Sequence, residues 1–569
     1  MYRKLFRNVK KRIGKKYRAI DPEDIFLDST NLPGFDEYSF EGRIERPIEN
    51  RNFLFLKGAF FIIVLLLGTR LWTLQVNEGR AFVKISENNR LNQALIIGNR
   101  GVIYDRNGLE LVTNSIKEVK ADYAARLYAP YKGLAHVLGY VKYPQKDSRG
   151  FYYDEEYKGQ AGVEKTYNNI LNGKNGLKLT ETDALGNITS ESVIEKPQDG
   201  QALNLSVDAK LSAELYKIIE SFANERGYKG GAGVIMDIET GEIIALSSFP
   251  EYDPNVITAG SDAVEIKRLF NDPATPFLDR VTGGLYTPGS IIKPIVALGA
   301  LNENLISPEK EILSTGALTL PNPYDPSKPS IFRDWKAHGW VDMRSALAVS
   351  SDVYFYAVGG GFEDQKGLGI TKIDSYLKQF GLDELTGIDL PGEKSGVIAS
   401  PDWKKTNFDD DWRLGDTYIT SIGQYGTQIT TLEAVRWVAA IANGGKLLIP
   451  TVVKNDRPES EKILRTLNFK EGDWKVIKEG MREAAEPGGT AAGLNVPYVK
   501  IAAKTGTAEL GASKELVNSW STGYFPYENP RYAFTILMEK GSRYNTVGAT
   551  GVMRQLLDWM SLYSPNYFE

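Results

Sequence analysis

The chain has 569 residues, 42% of them apolar and 25% charged, and its 68 basic and 72 acidic side chains leave a formal net charge of -4. That balance excludes a dedicated nucleic-acid binder, whose domain would be strongly basic, and a mean hydropathy of -0.29 leaves room for one or two membrane spans, not a many-helix transporter. With no cysteine and only His136 and His338 as imidazoles, thiolate nucleophiles, Cys-ligated zinc, iron-sulfur clusters, disulfides and three-His metal sites are excluded, and a Ser-His-Asp triad has just two candidates.

Residues 1 to 20 carry nine basic side chains and no acid, and residues 21 to 52 carry nine acids against Arg43, Arg46 and Arg51. Residues 53 to 76 then turn apolar, through Phe60-Phe61-Ile62-Ile63-Val64-Leu65-Leu66-Leu67. At ~1.5 Å per residue this run is long enough for a helix to cross a bilayer core of ~30 Å. Lys57 and Arg70 lie near its ends, where long cationic side chains snorkel to the interface. A cleaved signal peptide would lie nearer the start and end at small residues, whereas this run continues into Asn77-Glu78-Gly79-Arg80, so an uncleaved single-pass anchor is expected. Charges beside the span are even on its two sides, and the basic block at the N-terminus decides the orientation, with residues 1 to 52 in the cytoplasm. That block either contacts anionic lipid or serves only to fix topology.

Residues 77 to 200 are rich in Gly, Tyr, Lys and Asn, with turn signals at Asp105-Arg106-Asn107-Gly108 and Gly173-Lys174-Asn175-Gly176 between short alternating runs. This predicts small strands and loops in a mixed α/β pedestal. From residue 201 the elements lengthen. Residues 209 to 222 repeat at helical spacing, residues 233 to 238 and 242 to 246 read as a hairpin turning at Glu239-Thr240-Gly241, and residues 284 to 302 and 431 to 443 are again helical. Residues 499 to 503 and 532 to 539 read as strands and 551 to 562 as a closing helix, which completes an α+β domain over residues 201 to 569.

Three short motifs in this domain carry chemistry. In Tyr286-Thr287-Pro288-Gly289-Ser290-Ile291-Ile292-Lys293-Pro294, Pro-Gly opens a helix, and the i, i+3 spacing puts the Lys293 amine on the face of the Ser290 hydroxyl. A serine becomes a good nucleophile when a neighbour takes its proton, and a lysine of lowered pKa does so. In Ser350-Ser351-Asp352, Ser350 is placed to relay a proton and Asp352 to hold lysine ammonium groups. In Lys504-Thr505-Gly506-Thr507, just after an apolar strand, alternation puts Thr505 and Thr507 on one side to hold a substrate carboxylate. Lys504 supplies charge, and Gly506 lets the substrate backbone come close. Each motif alone is weak: Ser307-Pro308-Glu309-Lys310 also fits Ser-x-x-Lys, and the other two match ordinary polar turns.

Their joint occurrence, in this order and in helix, turn and strand contexts, resembles the active-site signature of penicillin-binding proteins and serine β-lactamases. Arg100-Gly101-Val102-Ile103-Tyr104-Asp105-Arg106-Asn107-Gly108, Gly162-Val163-Glu164-Lys165-Thr166-Tyr167, Tyr252-Asp253-Pro254-Asn255 and Gly387-Ile388-Asp389-Leu390-Pro391-Gly392 resemble class B penicillin-binding proteins. Asp352-Val353-Tyr354-Phe355-Tyr356 and Pro401-Asp402-Trp403-Lys404 are similar to the elongation type. Two departures stand out: Gly423-Gln424-Tyr425-Gly426 occupies the place of a Gly-Gln-Gly signature, and the 77 to 200 module is short for the family.

The resemblance implies a cytoplasmic tail (1 to 52), an anchor (53 to 76), a pedestal or dimerisation-type domain (77 to 200) and an extracytoplasmic transpeptidase domain (201 to 569), the last an antiparallel sheet flanked by helices plus an all-α lobe. It implies a peptidoglycan D,D-transpeptidase of cell elongation, with a possible D-Ala-D-Ala carboxypeptidase side activity. Ser290 is the implied nucleophile, Lys293 its base, Ser350 the proton relay to the leaving D-Ala, and the Ser290 and Thr507 N-H groups the oxyanion hole. Asp352 and Lys504 complete the catalytic set, and Thr505, Gly506 and Thr507 the substrate-binding one. No metal or organic cofactor is implied. Expected partners are stem peptides, β-lactams acylating Ser290, the membrane, a RodA-like glycosyltransferase of the shape, elongation and division family, and elongation-complex proteins, with no nucleic acid. The sequence leaves open which lysine is neutral before attack. His338, in Lys336-Ala337-His338-Gly339-Trp340, reads as loop packing rather than as a base. Alternatives are a β-lactam sensor or β-lactamase, and a non-catalytic scaffold that activates a glycosyltransferase. A nucleotide-binding enzyme is weakest, because neither Gly173-Lys174 nor Gly445-Lys446 is followed by Ser or Thr.

Overall fold

The computed structural model describes residues 50–79, 91–115, 123–148, 152–182, 188–322, 325, 327–454 and 458–569. The chain divides into two units, residues 1–90 and 91–569. The charged tail before residue 50 lies outside the described residues. In the first unit a helix over Asn50–Trp72 runs on as a π-helical turn, Thr73–Asn77. An 18-residue window of this stretch has a mean hydropathy of 2.0 and none of it is buried. The hydroxyls of Thr69 and Thr73 donate back to the carbonyls of Leu66 and Thr69, at 2.9 and 2.7 Å, which hides both polar groups within the helix. A helix apolar on all faces suits a lipid surround.

In the second unit a five-stranded antiparallel sheet runs in the order Ile243–Phe249, Gly230–Asp237, Tyr532–Ser542, Leu516–Phe525, Ala502–Leu510. Side chains alternate across it. Ala232, Val234, Met236, Ala533 and Leu537 join the core of the helix Thr431–Ala442, whose twelve residues are all buried. Ile235, Phe534, Ile536 and Met538 face the other way, onto Leu215 and Ile219 of Ala209–Arg226 and Val552 and Leu556 of Ala549–Tyr563. A lobe with helices Met343–Ala348, Asp352–Gly360, Ile370–Gln379, Pro401–Phe408 and Leu414–Ser421 completes the unit. The lobe expected to be all α also carries two β ribbons, Ile312–Ser314 with Gly339–Val341 and Ala317–Leu320 with Ser330–Arg333.

Two expectations shift. The stretch 284 to 302 becomes helical only at Gly289, as a 3-10 turn, Gly289–Ile292, that passes into the α-helix Lys293–Asn302. Pro288 and a Gly289 at φ +57° delay its start. The strand expected over 499 to 503 is Ala502–Leu510, so Lys504-Thr505-Gly506-Thr507 lies inside the strand, paired with Thr522, Ser521, Trp520 and Ser519.

The pedestal is built from small sheets, chiefly Leu91–Ile96 with Gly176–Thr182 and Ile188–Glu195, and Leu203–Asn204 with Ile103–Tyr104, Glu110–Ser115 and Ala125–Tyr128. The motifs outside the active-site signature hold it together and onto the rest of the unit. Glu164, fully buried, accepts from Arg100 Nε at 2.5 Å and from Arg126 Nε at 2.8 Å. Arg126 also donates to the Gly101 carbonyl at 2.7 Å, so a strand, a short helix and the loop at Arg100 meet on one carboxylate. Asp105 caps its own turn by accepting from the Asn107 and Leu109 amides and reaches the Ala209 amide at 3.3 Å. Asn255 pairs with both backbone groups of Tyr128 at 3.0 Å. Asp389 accepts from the Tyr167 hydroxyl at 2.6 Å and from Thr451 and Val452 at 2.7 Å.

A Glu164→Ala substitution leaves two buried guanidinium groups without their counter-charge and is expected to cost about 3–5 kcal/mol of stability. Glu191→Ala, which breaks the exposed pair with Lys178, is expected to cost under about 1 kcal/mol. Denaturant midpoints of the detergent-solubilised protein check both; equal small losses would contradict the role given to Glu164.

Candidate active site

Ser290 sits in the 3-10 turn Gly289–Ile292, anchored from behind by the fully buried Ile291, Ile292 and Ile295. The residue before it must be glycine for two reasons. Its φ is +57°, and a Cβ there would lie 3.0 Å from the Thr507 carbonyl oxygen. Gly506 mirrors it, since a Cβ at that position would meet the Pro288 carbonyl oxygen at 2.8 Å and Ile291 Cγ2 at 2.9 Å. The two glycines let the turn that carries Ser290 lie directly on the strand. Gly506 therefore makes room for the turn, a role beyond the substrate approach expected from sequence.

Lys293 follows on the same face, fully buried. Its ammonium donates to Asp352 Oδ1 at 2.6 Å and the Ser350 carbonyl at 2.8 Å, lies 3.4 Å from Ser350 Oγ, and sits 5.4 Å over the Phe355 ring. Among the described residues no hydrogen bond joins it to Ser290; its donors are taken by the second motif. Asp352 opens the helix Asp352–Gly360, where the helix dipole favours an anion. Ser350, at φ +58°, holds a left-handed conformation that non-glycine residues rarely adopt, and this bends the chain between two helices so that its hydroxyl faces the cleft.

Lys504 comes from the strand below. Its buried ammonium donates to Ser350 Oγ at 2.7 Å and to the Thr505 carbonyl at 2.9 Å. Strand alternation turns Lys504 and Gly506 inward and leaves Thr505 and Thr507 lining the cleft, as the spacing predicts. Burial, and then the charge of Lys293, push the Lys504 ammonium well below the usual lysine range, while Asp352 pulls it back up. Burial likewise pushes the Asp352 carboxyl up, against the pull of Lys293. One carboxylate among two buried lysines balances one ammonium, so Lys504 is the group placed to be neutral. This geometry places Lys504, rather than the Lys293 expected from sequence, to take a proton through the Ser350 hydroxyl, which both donates and accepts, and it turns Lys504 away from the charge-supplying role the motif suggested.

The cleft above holds about 800 Å³ on the side of Thr490, Thr505, Asn545 and Arg554. About 920 Å³ lies on the side of Arg333, Tyr356, Gln424 and Glu509. Ser290, Trp335, Asp352 and Thr507 line both. All eight site residues named from sequence thus gather at one place. The sequence reading missed Asp334. This carboxylate accepts from Ser351 Oγ at 2.8 Å and the Val353 amide at 3.0 Å, and so fixes the bend that carries Ser350. Burial would raise the Asp334 carboxyl, but those two donors and the Asp352 amide hold it below the usual carboxylate range. It also missed Thr490, which accepts from Thr505 Oγ1 at 2.7 Å, and Trp335, whose Nε1 donates to the Val349 carbonyl at 3.2 Å. The only cue was the polar, aromatic stretch around His338. The His338 ring packs edge-on against Trp335, with Nε2 3.4 Å from Asp334 Oδ1, a loop-packing role. Ser307 donates to Glu309 on the surface, and Lys310 pairs with Asp364, so the second Ser-x-x-Lys match makes no site.

Comparison with known proteins adds five matches. The family model for the penicillin-binding protein transpeptidase domain matches residues 231–558, and that for the penicillin-binding protein dimerisation domain matches residues 118–205. The peptidoglycan D,D-transpeptidase MrdA of Escherichia coli (strain K12) is 31% identical over 476 residues, covering 78% of this chain and 72% of that protein. Among solved structures, the penicillin-binding protein PBP2 of Helicobacter pylori, in a complex with MreC, superposes with a TM-score of 0.68 at 27% identity, covering 83% of this chain and 98% of its own. A chain from a peptidoglycan synthase complex that coordinates polymerization and crosslinking superposes with a TM-score of 0.67 at 25% identity, covering 89% of this chain and 97% of its own.

A reaction at Ser290 that draws on a neutral Lys504 is expected to speed up as pH rises through the lowered Lys504 pKa. In Asp352→Asn the negative charge that favours the ammonium is gone, and the ascending limb is expected to move to lower pH. Penicillin acylation rates measured from acid to alkaline pH check the sign; a shift to higher pH would contradict the assignment.

Proposed function

We propose, for a chain that belongs to the class B penicillin-binding proteins of the elongation type, that its peptidoglycan D,D-transpeptidase activity runs through the cluster Ser290, Lys293, Ser350, Asp352 and Lys504. The observation that carries this reading is the buried arrangement of two lysines and one carboxylate around Ser350, beneath a cleft onto which Ser290 opens.

In this reading Ser290 Oγ attacks the carbonyl of the terminal D-Ala-D-Ala bond of a donor stem peptide, and its proton passes to the neutral lysine. The approach of the nucleophile turn to the strand at Gly506 supports an oxyanion hole from the N-H groups of Ser290 and Thr507. Each such donor is worth ~3 kcal/mol of barrier in serine enzymes generally. The Thr505 and Thr507 hydroxyls hold the terminal carboxylate, and Ser350 hands the proton to the leaving D-Ala amine. An amine of a second stem peptide then attacks the acyl-enzyme, and its proton returns along the same path. A β-lactam that enters as a D-Ala-D-Ala mimic leaves Ser290 acylated.

The division into tail 1–52, anchor 53–76, pedestal 77–200 and transpeptidase domain 201–569 is part of the proposal. The apolar helix Phe53–Asn77 supports a membrane anchor, and the basic block before it supports an N-terminus in the cytoplasm and catalysis outside. The similarity to proteins solved with MreC and within a peptidoglycan synthase supports partners of those classes, a RodA-like glycosyltransferase and elongation-complex proteins.

Labelling the detergent-solubilised protein with a fluorescent penicillin tests the site. Stable labelling of the wild type and of Ser307→Ala, lost in Ser290→Ala, is the expected result. Rapid loss of label would turn the reading to a β-lactamase or sensor, and a folded wild type that takes no label would turn it to a scaffold.

A further inference from the structure

The turn Gly423-Gln424-Tyr425-Gly426 touches the nucleophile directly. Gly289, the residue before Ser290, donates its N-H to the Gly423 carbonyl at 2.9 Å. A Cβ at Gly423 would fall 2.1 Å from the Gly289 carbonyl oxygen, so the two backbones are in van der Waals contact. Within this turn Tyr425 has φ +63°, the left-handed region that a large side chain rarely occupies and that glycine or asparagine would take more easily. A residue kept there against its preference is held by what surrounds it.

The surroundings form a cage. The Tyr425 ring lies edge-to-face with Trp403, centroids 5.9 Å apart, and with Trp412 at 5.8 Å. The Lys404 ammonium is 5.9 Å from the ring centroid. That ammonium is buried and fixed by Asp416 at 2.7 Å, Asp410 at 2.9 Å and the Asp411 carbonyl at 2.7 Å. A Cβ at Gly426 would sit 2.1 Å from the Trp403 ring, so the turn leaves the cage in contact with the same indole.

We infer that Tyr425 is a positioning residue for Ser290: its caged ring locks the left-handed turn, and the turn fixes Gly289 and with it the orientation of the nucleophile. The inference rests on the reading of Ser290 as the acylated serine. Tyr425 also lines the Arg333 side of the cleft, so a role as mere wall predicts a different pattern.

The test measures acylation of the full-length, detergent-solubilised protein by benzylpenicillin and by 6-aminopenicillanic acid, which lacks the acyl side chain. Tyr425→Asn and Tyr425→Gly, which both tolerate the backbone, are expected to lower the first-order acylation constant about tenfold or more for both compounds alike. Tyr425→Phe, which keeps the ring, is expected to retain the wild-type constant. Trp412→Leu, which opens the cage away from the cleft, is expected to reproduce the uniform loss, with melting temperatures showing that each variant is folded. Wild-type constants in Tyr425→Gly and Tyr425→Asn, or a loss confined to benzylpenicillin, would overturn the inference alone. A wild type with no label on Ser290 would overturn the reading of the site and this inference with it.

Discussion

The Lys293 and Lys504 amines are buried within reach of one hydroxyl, and among the described residues Asp352 is the one carboxylate that pairs with either of them. Moving a charge out of water costs several kcal/mol unless it is paired, and one carboxylate pairs one ammonium. Lys293 holds that partner at 2.6 Å, so Lys504 carries the imbalance and its proton is the one the fold destabilises. The arrangement works only if three remote segments are held at hydrogen-bond distance: the segment of Ser290 and Lys293, the bend at Ser350 and the strand Ala502–Leu510. The contacts around the site serve that constraint. Gly289 and Gly506 bring turn and strand together, Asp334 fixes the bend, and Thr490 holds Thr505.

The same logic extends to the pedestal. Glu164 between Arg100 and Arg126 ties a loop and a strand to a short helix, and Asp105, Asn255 and Asp389 each pair a pedestal segment with the sheet domain. All of these residues except Arg126 lie in motifs by which the chain resembles its family, yet none lines the cleft around Ser290. They carry polar staples rather than chemistry. A small sheet with few core residues gains its order from such bonds, because a buried carboxylate that accepts from several donors cannot shift without leaving them unsatisfied.

The chemistry-bearing residues were legible because their spacing is local. Ser290 with Lys293, Ser350 with Asp352, and Thr505 with Thr507 are each set by one turn of helix, one bend or one strand period, and the structure gathers all eight expected site residues. The supports were not legible. Asp334 lies 17 residues before Ser351 and Thr490 lies 15 before Thr505, with no periodicity linking either pair. The cage of Trp403, Lys404 and Trp412 around Tyr425 joins a helix, the segment that follows it and a turn, and in sequence it showed only as one residue too many in a Gly-Gln-Gly pattern. Boundaries moved for local reasons too: Pro288 and Gly289 delayed the nucleophile helix, and the strand took in the Lys504 motif that the sequence reading placed after it.

By itself the sequence determined the apolar helix, the α+β class and which side chains could act as nucleophile, relay and carboxylate clamp, because these follow from composition and from periods of two to four residues. Only the tertiary structure decided which lysine carries the charge imbalance. That depends on burial and on the distance to a single carboxylate 59 residues from Lys293, quantities that arise when remote segments pack together and water is excluded between them.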